Sequence, residues 1–180
     1  MTYRFLLLSD EVDRFKREIQ ISSESTFYDF HRAILDATGY DEKQLYSFFV
    51  CGDDWSKEIE ITQFEMDTSS EEDNYTMENT VLEDLLEEER QKLLYVFDQL
   101  SDRVFFIELR EIITGKNMDK PLCTKSEGTP PIQFVDYDAS IKDSHLDLDD
   151  DFYGDDDYDD DELDNLGESS FDDDPLSDRF

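Results

Sequence analysis

The sequence predicts an α+β fold: a mostly antiparallel sheet with helices packed on one face, followed by a disordered acidic C-terminal tail. Three observations predict it. Short runs of β-favouring residues occur in pairs, one segment has clear helix start and stop signals, and acidic residues are concentrated after residue 135. We therefore divide the chain into a folded domain, residues 1–134, and an Asp-rich tail, residues 135–180.

The first two strands are predicted at the N-terminus. Residues 3–8 form an apolar run, and Phe15, Ile19 and Ile21 alternate with polar residues. Turn-forming residues separate the two runs, so we predict an antiparallel hairpin with one solvated face.

The clearest helix begins at Thr26. Asp29 follows three residues later, as in a capping box, and brings a carboxylate to the positive end of the helix. Gly39 supplies a left-handed stop. The apolar residues at helical spacing are Phe27, Phe30, Ile34, Leu35 and Ala37. This helix is expected to pack on the sheet.

The second half of the domain is predicted as strands, a loop, a short helix and a hairpin. The predicted elements are a buried strand over 45–50, a strand or loop over 58–61, a surface loop over 67–79, a helix over 80–89, and a hairpin of 93–97 with 104–113. Thr80 with Glu83 resembles a capping box. Beyond Gly115 the periodicity is lost, and residues 128–131 are expected to run as an extended, ordered segment over the domain.

Charge limits the partners that the protein is expected to bind. The chain has 50 acidic and 16 basic residues, and residues 136–180 contribute −18 of the net charge of −34. Such a chain repels polyanions, so direct nucleic-acid binding is not expected. It would require a basic stripe, for which Arg14, Lys16, Arg17 and Arg32 are the best available cluster.

We expect a cytoplasmic protein that does not bind membranes. The apolar run 5–8 is too short for a signal-peptide core, and no segment approaches the length needed to span a bilayer. Cys51 and Cys123 are far apart and form no CxxC pair, so we expect reduced, buried thiols. The acidic residues after Cys51 are expected to raise its pKa and suppress its reactivity. The sequence does not predict the oligomeric state.

No catalytic residue, cofactor site or metal site is predicted. The chain lacks the G-x-S-x-G, P-loop and HExxH motifs. Asp147, Asp149 and Asp151 repeat the start of a calcium loop, but Phe152 and Tyr158 occupy the positions that need Gly and Glu. These observations favour a non-enzymatic protein, although scattered residues could still form a site that no motif reveals.

The folded part resembles the plasmid pRiA4b ORF-3-like family, over roughly residues 3–134. The residues that carry the resemblance are Tyr3–Leu6, Arg17–Ile19, the helix Thr26–Ile34 closing on Gly39-Tyr40, Cys123, Glu127-Gly128 and Pro130-Pro131. The resemblance implies an α+β fold of bacteria and archaea, of the mobile-element passenger type, with no established biochemical activity. A family match of this kind identifies a fold more than a function.

One turn departs from the family pattern. Where the family usually has Tyr-Asp-Phe-Gly-Asp-x-Trp between its last strands, residues 97–104 of this chain lack both the glycine and the tryptophan. Trp55 does not replace the latter at the same place. Any role of that turn in the family therefore cannot be assumed here.

The leading hypothesis is a protein-binding module with an acidic tail that attracts a basic partner. The tail combines acidic residues with scattered aromatics, so a docking peptide is predicted at Phe171, Asp172, Asp173, Asp174 and Phe180. A purely solvating tail and a nucleic-acid-mimicking decoy are the alternatives. The alternative for the domain is a small-ligand or enzymatic site on the sheet, including His31, Asp98 and Arg103; otherwise His31 is expected at the edge of the core with one hydrogen-bond partner.

Overall fold

The computed structural model describes residues 1–65 and 74–135, in which eight strands form one sheet and two helices accompany it. The strands are β1 (Thr2–Leu8), β2 (Lys16–Ser22), β3 (Ser47–Cys51), β4 (Lys57–Thr62), β5 (Tyr75–Thr76), β6 (Lys92–Asp98), β7 (Arg103–Ile113) and β8 (Leu122–Glu127). The helices are α1 (Phe27–Thr38) and α2 (Leu82–Leu85). The sheet order is β5-β4-β3-β6-β7-β1-β2-β8, and only β4 and β5 pair in parallel. The predicted α+β fold with a mostly antiparallel sheet is confirmed.

The N-terminal hairpin forms as predicted. β1 and β2 pair antiparallel, with Thr2 opposite Ser22 and Phe5 opposite Ile19. Phe5 and Ile19 are fully buried, whereas the intervening residues of β2 are partly exposed. The alternation read from the sequence is therefore the alternation of a half-buried strand.

The predicted ends of α1 are confirmed at both termini. Thr26 Oγ1 accepts a hydrogen bond from Asp29 N at 3.2 Å, and Asp29 Oδ2 accepts one from Thr26 N at 3.0 Å, which completes the capping box. Gly39 closes the helix at φ 72°, where its N–H donates to Leu35 O. Because both signals act within a few residues, sequence alone located the helix.

The second hairpin, β6–β7, is confirmed, and its turn works without the family glycine. Asp98 Oδ1 accepts a hydrogen bond from Leu100 N at 3.1 Å, while Asp102 adopts φ 51°. Aspartate is among the few residues other than glycine that tolerate this left-handed conformation. The turn thus retains a tight geometry by a different residue choice.

Three elements differ from the prediction. Tyr75–Thr76 forms the short strand β5, so this end of the predicted loop 67–79 is wrong, while residues 66–73 lie outside the described part. The predicted helix 80–89 is only the single turn Leu82–Leu85. Its N-cap residue is Val81 instead of Thr80, and the Val81 N–H donates to Asp84 Oδ2, so Asp84 takes the capping position predicted for Glu83. β8 was not predicted as a strand, because its side chains are mostly exposed and show no apolar alternation.

The hydrophobic core lies between the sheet and the helices. Phe30 of α1 stacks on Phe5 of β1 at 4.4 Å and on Phe48 of β3 at 5.4 Å between ring centroids, and all three are fully buried. Leu82 and Leu86 of the α2 region join the same cluster. The face of the sheet that the helices cover is therefore filled by side chains.

The other face of the sheet carries no helix among the described residues. Phe49, Leu94 and Phe106 form a cross-strand apolar row on it. Lys57 Nζ lies 4.6 Å from the ring centroid of Phe49, and Trp55 packs edge-on against Phe106 at 5.0 Å. Within residues 1–65 and 74–135, no helix is long and apolar enough to cross a membrane.

Candidate functional site

Residues 129–135, which we call the strap, run from the end of β8 past the C-terminus of α1 to the start of β7. The strap follows Gly128, which has φ 70° and lies so close to the backbone of Arg14 that a Cβ would meet Arg14 O at 2.5 Å. Only glycine fits this junction. The prediction that this segment packs over the domain is confirmed.

The strap is attached to the domain by hydrogen bonds from polar side chains. Tyr40 Oη donates to Pro131 O at 2.5 Å. Gln133 Oε1 accepts from Asp41 N, and its Nε2 donates to Asp41 O, both at 2.7 Å. Gln133 Nε2 also lies 2.7 Å from Tyr46 Oη, which itself donates to Asp41 O. Gln133 therefore has its amide oxygen and nitrogen satisfied inside the domain.

Over residues 131–134 the strap buries Pro131 and Gln133 and exposes Ile132 and Phe134. Gln133 is 8% exposed, whereas Ile132 is 76% and Phe134 53% exposed. Val135, the last described residue, is 40% exposed. Alternating burial is that of an extended chain, but the outward positions carry apolar side chains where a normal surface strand carries polar ones. Exposed apolar groups held in one place mark an interaction site more often than scattered ones do.

Arg103 holds the strap from the side of β7. Its Nε and Nη2 donate to Glu11 Oε1 at 2.9 Å and Oε2 at 2.6 Å, a bidentate pair. Nη2 also donates to Ile132 O at 2.7 Å, and Nη1 donates to Gln133 O at 3.3 Å and lies 3.7 Å from Asp98 Oδ2. Hydrogen bonding to Glu11 raises the pKa of the Arg103 guanidinium, which stays charged. One guanidinium thus joins the β1–β2 loop, the β6–β7 turn and the strap.

His31 lies inside the core rather than in an accessible site. It is fully buried on α1, and its Nδ1 is 2.8 Å from Tyr95 Oη, while its Nε2 has no hydrogen-bond partner among the described residues. Burial lowers the pKa of His31 to about 4, so the ring is neutral near pH 7. The prediction of a core histidine with one partner is confirmed, and the ring is buried more deeply than its predicted position at the edge of the core.

The three residues named for a ligand site on the sheet are engaged in contacts within the domain. Asp98 and Arg103 come together as an ion pair, but Arg103 is also bonded to Glu11 and the strap. His31 instead packs against Tyr46 and Tyr95, with ring centroids 4.8 Å and 5.9 Å away. These groups serve the internal network.

Two concave surfaces lie away from this network. The first, the α1–β8 groove, has a volume of about 580 Å³ and is lined by Asp29, Arg32, Ala33, Asp36, Ala37, Lys120, Pro121 and Cys123. The second, about 740 Å³, lies under the β1–β2 loop and is lined by Leu8, Ser9, Val12, Asp13, Arg14, Phe15, Lys16, Glu127 and Gly128. Both follow from the position of β8, which sequence reasoning missed.

The four basic residues that were the best available cluster in the sequence are not presented as one surface. Arg17 is 4% exposed and donates to Ala37 O, Glu127 O and Gly128 O at 2.6–3.0 Å. Its guanidinium anchors the β8 end of the strap, so Arg17 is not available to bind phosphates. Arg32 lines the α1–β8 groove instead.

The two cysteines are unpaired and differ in environment. Cys51 is buried, and its burial is the main cause of its raised pKa, with the neighbouring carboxylates contributing less. Cys123 is exposed, so the expectation that both thiols are buried is wrong for it. In residues 1–65 and 74–135, no cluster of three or more His, Cys, Asp or Glu side chains could hold a metal ion.

The predicted docking peptide lies outside the described residues, as does the whole acidic segment after Val135. Its residues are Phe171, Asp172, Asp173, Asp174 and Phe180. Within the described part, sequence reasoning missed the roles of Tyr40, Tyr46, Glu11 and Gln133. The Gly-Thr-Pro-Pro run indicated an extended segment, but nothing local to Gln133 revealed partners about ninety residues away.

Comparison with known proteins gives a family and a fold. A family model described as plasmid pRiA4b ORF-3-like protein matches residues 5–175. The likeness therefore extends beyond residue 134, where the sequence analysis ended it. No curated protein matches the chain.

The solved structure of a protein of unknown function, MM3350 from Methanosarcina mazei Go1, is similar to this chain. The TM-score is 0.54 with 20% sequence identity, and the likeness covers 69% of this chain and 68% of the other. At this identity the similarity concerns the fold alone.

Proposed function

The chain belongs to the plasmid pRiA4b ORF-3-like protein family, and we propose that it is a non-enzymatic protein-binding module whose strap and acidic C-terminal segment together bind a basic partner protein. One observation carries this proposal. The strap turns Ile132 and Phe134 outward, although a buried Gln133 holds it in place, and it leads directly into Asp136 and the acidic sequence that follows.

Apolar side chains on an already ordered segment can bind a partner with a small loss of conformational entropy. Because hydrogen bonds to Tyr40, Asp41 and Arg103 already order the strap, little backbone entropy remains to be lost when a partner binds Ile132 and Phe134. Leu100, 91% exposed, lies in the turn between β6 and β7, three residues before Arg103.

The acidic segment is proposed to add long-range electrostatic attraction to the apolar contacts of the strap. Residues 136–180 carry a net charge of −18, which attracts a basic surface and speeds encounter at low ionic strength. Specificity would then come from the apolar contacts at the strap, since long-range charge attraction alone is screened by salt.

The alternative of a small-ligand or enzymatic site on the sheet gains no support from the described residues. The helix-covered face is filled by buried aromatic side chains, and Asp98 and Arg103 are engaged with each other and with the strap. We also propose a cytoplasmic location, which the two unpaired cysteines support because reducing compartments keep thiols free.

Affinity capture from host lysate tests the proposal, with the full chain compared with a chain ending at Phe134 and elution by a salt gradient. We expect the full chain to retain a basic protein that elutes as salt rises, and the shortened chain to bind it more weakly and with less salt dependence. If both chains bound every partner equally, the acidic segment would have no role in binding.

A second variant separates sequence-specific docking from simple charge attraction. Phe171→Ser with Phe180→Ser in the full chain removes the predicted anchors and leaves the net charge unchanged. Weaker capture of the same partner would support a docking peptide. Unchanged capture would contradict it and leave charge as the contribution of the acidic segment.

A further inference from the structure

His31 carries an unsatisfied polar atom in the core. The ring is fully buried on α1, its Nδ1 lies 2.8 Å from Tyr95 Oη, and its Nε2 has no hydrogen-bond partner within residues 1–65 and 74–135. In the neutral ring one nitrogen is a donor and the other an acceptor, whereas in the charged ring both are donors. Protonation would therefore leave a buried, charged N–H without an acceptor.

The groups around the ring come from the core on one side and from the surface on the other. The titratable and charged groups are Tyr28 and Arg32 of α1, Glu42 of the loop between α1 and β3, Tyr46 just before β3, and Tyr95 of β6. Glu42, the carboxylate of this set, raises the pKa of His31, although burial has the larger, opposite effect. Glu42 is therefore the natural partner of a protonated ring.

The loop that carries Glu42 also holds the strap. Asp41, its neighbour in the chain, bonds the side chain of Gln133 through both its N–H and its C=O, at 2.7 Å each. Tyr46 ends the same loop, and its Oη lies 2.7 Å from Gln133 Nε2 while its ring centroid lies 4.8 Å from that of His31. The surroundings of His31 and the attachment of the strap thus share one loop, residues 39–46, which we call the α1–β3 loop.

A protonated His31 can gain solvation only from the side of this loop. On the core side, Tyr95 is fully buried and its hydroxyl is already bonded to Nδ1. On the loop side, Tyr28 and Asp41 are half-buried and Glu42 is exposed. Water and a carboxylate therefore lie closest to the ring beyond the α1–β3 loop.

We propose that protonation of His31 releases the strap: the charged ring draws Glu42 and water toward Nε2, which displaces the α1–β3 loop and Tyr46 and breaks their bonds to Gln133. This pH-sensitive switch is a property of the folded domain and is tested without any partner. Only its consequence, that acid weakens binding at the strap, rests on the proposed function.

Two pKa values limit the size of the effect. The pKa of His31 is about 4 while the strap is attached, and we expect the ordinary value of 6.5 once the ring reaches water. Each unit of difference is a factor of ten, so protonation raises the ratio of released to attached strap by at most about 300-fold. The attached state is fully favoured above pH 6.5 and loses this advantage as the pH falls toward 4.

NMR of the full chain between about pH 7 and pH 4 tests the switch. The ring nitrogen shifts of His31 report its protonation. Hydrogen exchange of the Gln133 side-chain amide, relative to free glutamine at the same pH, reports release of the strap. We expect the protection of Gln133 to fall by up to about 300-fold in parallel with protonation of His31, while the backbone amides of β1 stay protected.

Two variants assign the transition to His31. His31→Gln can still bond Tyr95 but does not titrate, so the protection of Gln133 should become independent of pH over this range. Because that change is in the core, Glu42→Gln provides a second test at an exposed residue. It should move the transition to lower pH, since Glu42 raises the pKa of His31. Glu88→Gln, at an exposed acid before β6, is the matched control and should leave the transition unshifted.

Four results would overturn the proposal. The first is protonation of His31 without loss of protection at Gln133. The second is the same pH-dependent loss in His31→Gln, which would assign release to the surface carboxylates. The third is an equal transition pH in the Glu42 and Glu88 variants. The fourth is simultaneous loss of protection at Gln133 and in β1, which would show unfolding of the whole domain instead of release of the strap.

Discussion

The helix-covered face of the sheet and the strap use apolar residues in opposite ways. At that face, Phe5 and Phe48 of the sheet are fully buried against Phe30 of α1, and polar groups are mostly excluded. In the strap, the polar Gln133 is buried and Ile132 and Phe134 face outward. The core is stabilised by removing apolar surface from water, whereas the strap is positioned by hydrogen bonds.

This difference separates stability from binding. A segment fixed through its polar residue can expose apolar side chains without depending on their burial, so those side chains are available to a partner. Changes in the core should therefore affect unfolding strongly, changes in the polar attachment should affect it moderately, and changes at the exposed strap residues should affect binding alone.

The largest effect is expected from Phe30→Ala. Phe30 is fully buried and stacks on two other rings, so its truncation should lower the free energy of unfolding by about 3–5 kcal/mol. Denaturant unfolding measures this loss. Phe134→Ala, the same change at an exposed ring, is the control and should cost less than about 0.5 kcal/mol. Similar losses for both would contradict the distinction between core and strap.

Acid should destabilise the core through His31. The pKa of His31 is about 4 in the folded protein and 6.5 in the unfolded chain. Between pH 4 and 6.5, His31 is therefore protonated in the unfolded chain and neutral in the folded protein. The contribution of neutral His31 to the free energy of unfolding is fully present above pH 6.5. It decreases by up to about 3 kcal/mol as the pH falls toward and below 4.

Many carboxylates also titrate near pH 4, so the contribution of His31 must be measured as the difference in unfolding free energy between wild type and a variant that lacks the histidine. His31→Gln keeps a side chain that can bond Tyr95 and does not titrate, so the gap in unfolding free energy between wild type and variant should change with pH over this window. A gap independent of pH would show that His31 has an ordinary pKa.

A smaller effect is expected from Arg103→Ala. The variant loses the bonds to Glu11 and to the carbonyls of Ile132 and Gln133, which should lower stability by about 2 kcal/mol. Hydrogen exchange should show the strap opening before the sheet does. Arg103→Lys retains the charge without the two-pronged geometry and should give an intermediate loss. Equal opening of strap and sheet would contradict a separate attachment.

Local signals explain what the sequence predicted well. Thr26, Asp29 and Gly39 define the ends of α1 within a few residues of themselves, and the alternation of Phe15, Ile19 and Ile21 identifies β2. The β6–β7 hairpin was also recognisable, since two apolar runs flank a turn of suitable residues.

Long-range contacts explain what the sequence did not predict. Leu122–Glu127 becomes a strand only because β2 offers an edge to pair with, and its own side chains carry no strand pattern. Gln133 and Tyr46 are unremarkable in sequence, and their roles arise from bonds across 87 residues. The α1–β8 groove depends on the position of β8 beside α1, so no local motif could have revealed it.

The most direct test of the central claim is the affinity of the full chain carrying Ile132→Ser with Phe134→Ser for the partner that the wild-type chain captures. We expect binding to weaken by about tenfold or more, because two exposed anchors are removed, while the free energy of unfolding changes by less than about 0.5 kcal/mol. Phe64→Ser, at a ring 62% exposed two residues after the end of β4, is the matched control and should bind like wild type. Wild-type affinity in the double variant would contradict the assignment of the strap as a binding surface.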